Sequence, residues 1–211
     1  MTITINFLSS ATNEHYAPQA LAYVGSGDQR PVILDTATKL GISAGAIAGA
    51  MAEENTAYLQ NKAINDGLDD YALGRLPTQT PWTHDQWLTD YNLVGGDTGA
   101  IASEADKLRN PVLIDMGQAN FKMTTAIRLV QEYVASYGTG NDPLGLLVYA
   151  TDYALLATHL VDAANGVTAK LYGLMLKEAE DWFVNKKNSY AGEWSSLPQE
   201  FRDALLVTYT N

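Results

Sequence analysis

Glu54 is the carboxyl group whose place along the chain most invites chemistry. The stretch from Ser43 to Ile64, SAGAIAGAMAEENTAYLQNKAI, reads as one helix capped by Ser43. Its larger apolar residues, Ile47, Met51 and Tyr58, recur at i, i+4 and i+11, and Glu54 at i+7 falls on the same stripe at about 100° per residue. Glu53 lies about 100° away, nearer to solvent. A carboxyl among apolar neighbours holds its proton to higher pH, because desolvation disfavours the charged form. One still protonated near neutrality can donate to a leaving group. The plainer reading is that Glu54 sits at the edge of the stripe and its carboxyl reaches water.

A second stretch has the same interest. LIDMGQANFKMTTAIRLV, Leu113 to Val130, takes an apolar run into Gly117, carries the amides of Gln118 and Asn120, and opens a helix with Thr124 and Thr125. A core asks for none of this, whereas a groove holding a polymer uses it. Other candidates carry less. Trp82 and Trp87 in PWTHDQW are sugar-stacking rings or packing residues of a small helix. His15, His84 and His159 show no ligand spacing, and His159 beside Leu160 reads as a core-edge histidine. NDGLDDYALG lacks the alternating oxygen-ligand spacing of a calcium loop and reads as a solvated face. No glycine-rich phosphate loop follows a strand, and no metal site or cofactor is expected.

The elements that must position these residues read as helices with only short β signals. Residues 1–30, ending at GSGDQRP, look like an arm or a short first element. VILDTATKLG is a short helix stopped at Gly41. Residues 66–110, broken by Gly and Pro, suggest short helices and long connections. NPVLIDMG is an extended run into a turn, and the next helix is capped by Thr124 or Thr125 and closed by Gly138. Asp142 as cap with Pro143 at the first helical position opens another, ended by Gly166. VTAKLYGLMLKEAEDWFVNKKN and LPQEFRDALLVTYTN are the last two.

The bulk numbers fit a globular chain. It has 211 residues, 46% hydrophobic and 18% charged, and no cysteine, so neither disulfides nor thiolate metal sites can form. The net charge of −11 argues against nucleic acid and against an anionic membrane surface as partners. No apolar run approaches twenty residues, so membrane insertion is not expected. The N-terminus MTITINFLSSATNEHY has neither a basic region nor a long apolar one, and is not read as a Sec signal.

AGAMAEEN, Ala48 to Asn55, resembles the end of the first catalytic helix of goose-type lysozymes and lytic transglycosylases, where a small apolar helix ends in Glu and a small polar residue. The match sets the catalytic Glu on Glu54 and the following Ser on Asn55. The second stretch resembles that family's Ser-Ile-Gly-Leu-Gly/Ala-Gln-Val, then Pro-Ser/Thr-Thr-Ala. Asp115 takes the Ser position, Met116, Gly117 and Ala119 the next ones, Asn120 the Gln, and Thr125 and Ala126 the Thr-Ala. In the family this segment is a β-turn lining the sugar groove opposite the Glu. The glycine would then allow close backbone approach, the amides of Gln118 and Asn120 would bind sugar hydroxyls, and the threonines would cap the helix. LLVTYTN echoes a late-helix segment whose Tyr faces the Glu, which makes Tyr209 a candidate in a chain that looks cut short or part of a longer protein.

Departures accompany the match. Asn120 stands for Gln, Met123 for Pro, about sixty residues separate Glu54 from Gly117, and the chain is acidic where many secreted lysozymes are basic.

The resemblance implies a mainly α, lysozyme-like single domain over residues 31–211 with a small β-turn lining a glycan groove. It implies a muramidase or lytic transglycosylase cutting the β-1,4 bond between N-acetylmuramic acid and N-acetylglucosamine, with Glu54 as general acid. A second carboxylate activating water gives hydrolysis; attack by the muramic 6-hydroxyl gives an anhydro sugar. Asp115 is the first candidate for that second acid, and equally a residue bonding its own turn. Asp97 is the next, with helix capping as its commoner role. Similar domains occur in phage particles and as type VI secretion effectors. The expected setting is therefore the bacterial cell wall, reached by a non-Sec route, with peptidoglycan strands as substrate and an immunity protein as partner. The competing reading is a non-catalytic α-helical module that binds glycan or protein.

Overall fold

Small residues shape the first helices of this chain. The computed structural model describes residues 11–98, 102–138, 140–185 and 191–210. In chain order the helices are α1 (Ala11–Val24), α2 (Gln29–Leu40), α3 (Ala44–Gln60), α4 (Lys62–Ala72), α5 (His84–Leu93), α6 (Glu104–Arg109), α7 (Met123–Tyr137), α8 (Tyr153–Val161), α9 (Val167–Asn185), α10 (Ala191–Trp194) and α11 (Gln199–Thr210). Two short strands, β1 (Asp115–Met116) and β2 (Phe121–Lys122), stand between α6 and α7. Among the described residues the architecture is mainly α with one small antiparallel sheet. The chain divides into two compact units, Met1–Thr56 with Thr168–Asn211, and Ala57–Val167.

In the first unit, α1 occupies much of the stretch expected as an arm or short first element. Gly41, at φ 68°, ends α2, and its N–H donates to the Ala37 carbonyl. The Gly and Ala residues of α3 let other helices approach its backbone. A Cβ on Gly49 would lie 3.3 Å from Val207 of α11, and one on Gly173 of α9 would lie 2.6 Å from Thr36 of α2. No residue from 44 to 59 is exposed, so α3 is a central helix. Complete burial of side chains such as Ile47 and Met51 stabilises by about 1.5–3 kcal/mol each.

The second unit departs from the sequence reading in several places: Pro111–Leu113 is a 3-10 turn rather than extended, and the helix expected to end at Gly166 ends at Val161. The helix from Ser43 does not run to Ile64: Asn61, at φ −120° and ψ 28°, separates α3 from α4. Neither Thr124 nor Thr125 caps α7, which follows Lys122 directly; Thr124 is buried and donates to Asp97 instead. Asp142 heads a turn rather than a helix. It accepts the N–H groups of Leu146 (2.8 Å) and Leu147 (3.1 Å), and Gly145 at φ 68° stops helical propagation. The helix that follows, α8, is capped by Asp152, which accepts the Leu155 N–H at 2.9 Å. The connections between helices in 66–110 match expectation, and α5 and α6 open with reciprocal caps, Thr83 with Gln86 and Ser103 with Asp106. Among the described residues no helix is long and apolar enough to cross a membrane.

Candidate functional site

Ser43 fixes the N-terminus of the helix that carries Glu54. Its hydroxyl accepts the Gly45 N–H (3.1 Å) and donates to the Asp203 carboxylate (2.7 Å). Eleven residues on, in α3, Glu54 is half-buried, between buried Ala52 and buried Asn55. Glu53 is half-buried as well, so the expected contrast between the two carboxyls is not seen; burial along the whole of this part of α3 is the reason. Asn55 is 3% exposed, and Thr56 donates its hydroxyl to the Glu53 carbonyl at 2.7 Å.

In the second unit a hairpin brings Asp115, Gly117, Gln118 and Asn120 together. Asp115 pairs with Lys122 and Met116 with Phe121 across the two strands. The turn between them closes with the Asn120 N–H on the Gly117 carbonyl at 2.9 Å. Asn120 sits at φ 50°, a left-handed conformation that asparagine tolerates better than most residues. Gln118 is the exposed residue of the turn, Asn120 is half-buried, and Thr125 is half-buried in the first turn of α7.

Gly117 is explained within the protein. Its φ is 69°, and a Cβ there would lie 2.1 Å from the Leu160 carbonyl oxygen of α8. The close backbone approach expected of this glycine is therefore an approach to α8. Asp115 is committed as well: its carboxylate lies 2.5 Å from Lys107 Nζ of α6, and both side chains are largely buried. To act as a base on water it would have to leave that lysine.

The carboxylate that the sequence reading passed over is Asp69. NDGLDDYALG is not simply a solvated face, because Asp69 is 4% exposed. The Gly117 N–H donates to both of its oxygens at 3.2 Å. Burial pushes its carboxyl up to about 7, outweighing the lowering by that hydrogen bond, with Asp66 and Asp70 adding to the rise and Arg75 opposing it. A helical signal was present: Leu68 and Ala72 form one buried i, i+4 pair, and Asp69 with Leu73 forms the row beside it. Asp90 of α5 is a second buried carboxylate, raised by desolvation and lowered by the Val112 N–H it accepts at 2.9 Å.

The remaining candidates have structural partners. Asp97 caps no described helix; it accepts from Arg128 Nε at 3.0 Å. Trp87 is 1% exposed and belongs to the core, with the half-buried Trp82 ring 5.3 Å away. His159 Nδ1 lies 2.8 Å from the Tyr149 hydroxyl, and His84 Nδ1 accepts the Tyr153 N–H at 3.2 Å. Tyr209 belongs to α11, and its side chain lies outside the described residues. Among the described residues no group of three or more His, Asp or Glu side chains could hold a metal ion. Glu54 and Asn55 belong to the first unit; the hairpin and Thr125 belong to the second.

No protein-family model, curated protein or solved structure matches the chain.

Proposed function

We propose that this chain is a lysozyme-like, peptidoglycan-cleaving glycosidase in which Glu54 is the general acid. The observation that carries the reading is the half-burial of Glu54 on a helix with no exposed residue from 44 to 59, next to a buried Asn55. Such a carboxyl is partly shielded from water, as a proton donor to a glycosidic oxygen needs to be. Glu54 gives its proton to the N-acetylglucosamine oxygen as the bond to the muramic C1 breaks. Attack at C1 by the muramic 6-hydroxyl, whose proton returns to the Glu54 carboxylate, completes the step without a second acid. The product then ends in an anhydro sugar. By the same resemblance the bacterial cell wall is the expected site of action and an immunity protein the expected partner. Release of soluble fragments from purified peptidoglycan tests the reading: native protein releases them and Glu54→Gln does not.

A second reading, a non-catalytic module that binds glycan, draws on Gly117. Its close contact with Leu160 accounts for the glycine without a ligand. Retention of native protein on insoluble peptidoglycan, with no fragments released, would support it.

A further inference from the structure

The β1–β2 turn is held from two sides. Leu160 of α8 lies against the Gly117 Cα, close enough to exclude any side chain there. On the other side the Gly117 N–H meets the Asp69 carboxyl of α4, both oxygens at 3.2 Å. The carboxyl is buried, yet its hydrogen bond is to a single neutral N–H.

We propose that Asp69 is a positioning residue for this turn, and that gain or loss of its proton changes how firmly the Gly117 N–H, and with it the Gln118–Asn120 segment, is held. The ionised carboxylate is the stronger acceptor and tightens the turn. The neutral acid is the weaker acceptor and loosens it. Several charged groups set this balance. Tyr58 of α3 and Asp66 and Asp70 of α4 bear on Asp69 and its surroundings, with Arg75 just beyond α4 opposing them. Asp66 is itself held by Lys62 and by the Tyr58 hydroxyl. On the hairpin side, Asp115 of β1 is neutralised by Lys107 of α6, and Arg75 also meets Asp162 beyond α8. The positive charges nearest this carboxyl are thus shared with other acids, and its proton is exchanged near neutrality, where burial has moved it. The consequence for glycan binding rests on the proposed function; the titration of the turn does not.

The test is an amide-resolved NMR titration of the native protein from pH 5 to pH 9, followed at Gly117. The expected result is a downfield movement of the Gly117 amide proton with a midpoint near 7. In Asp69→Asn, which retains an acceptor oxygen, the movement should vanish while the helical signal by circular dichroism persists. A Gly117 amide that does not move in the native protein overturns the proposal, and so does the same transition in Asp69→Asn. If the variant does not fold, carbon-detected titration of the native Asp69 carboxyl decides: its transition must coincide with that of the Gly117 amide. Native protein that titrates at Gly117 but releases nothing from peptidoglycan would retire the enzymatic reading and leave this one standing.

Discussion

Asp69 shows what one side chain does to the whole chain's response to pH. Its folded-state value of about 7 stands above the ordinary 3.8. The folded chain therefore keeps a proton over a range in which the unfolded chain has lost it. This contribution to stability is complete below about 3.8 and is lost as the pH rises through 7. Asp90 shifts in the same sense. Thermal melts should accordingly give native protein a lower midpoint at pH 8 than at pH 5, with much of that difference gone in Asp69→Asn. An equal fall in the variant would place the effect on other groups. Glu54 supplies a second expectation at this scale. On the proposed function, Glu54→Gln should melt at or above the native temperature. A loss above about 1 kcal/mol would mark Glu54 as a structural residue.

At the scale of elements, the hairpin depends on Gly117. Alanine there meets both a left-handed backbone and the Leu160 carbonyl, and should destabilise the chain by roughly 2–5 kcal/mol in denaturant unfolding. A change below about 1 kcal/mol would show that the turn moves freely off α8. The helices were legible in the sequence wherever a local signal decided them. Gly41 and Gly138 stop α2 and α7, and Ser43 caps α3, all from chemistry contained within a few residues. The small residues of α3 announced a central helix because close approach leaves no room for larger ones. Errors arose where a polar group finds its partner far along the chain. Thr124 turns to Asp97, 27 residues away, and so is no cap. Asp142 accepts N–H groups as a helix cap would, but Gly145 limits the segment to a turn, so the expected helix does not start there. Asp69 was hidden by composition: three acids in five residues suggest solvent, and the partner that draws it inward lies 48 residues on. Tertiary context outweighs the local pattern at Thr124 and Asp69, whereas at Asp142 a second local signal, Gly145, does.

For the whole molecule, charge is the property with consequences. The chain carries −11, and peptidoglycan also bears carboxylates, so the two repel at long range. Salt screens that repulsion over about 10 Å at 0.1 M. On the proposed function, binding to purified peptidoglycan should therefore strengthen as sodium chloride rises from about 10 to roughly 150 mM; sedimentation with insoluble sacculi measures it. Weakening over that range would mean that a local positive patch governs binding despite the net charge.

The proposed role of Glu54 is decided by mass spectrometry of the soluble products from purified peptidoglycan. The reading predicts muropeptides ending in anhydro-muramic acid from native protein and none from Glu54→Gln. Silence from both proteins between pH 5 and pH 8, or equal release by both, would contradict it.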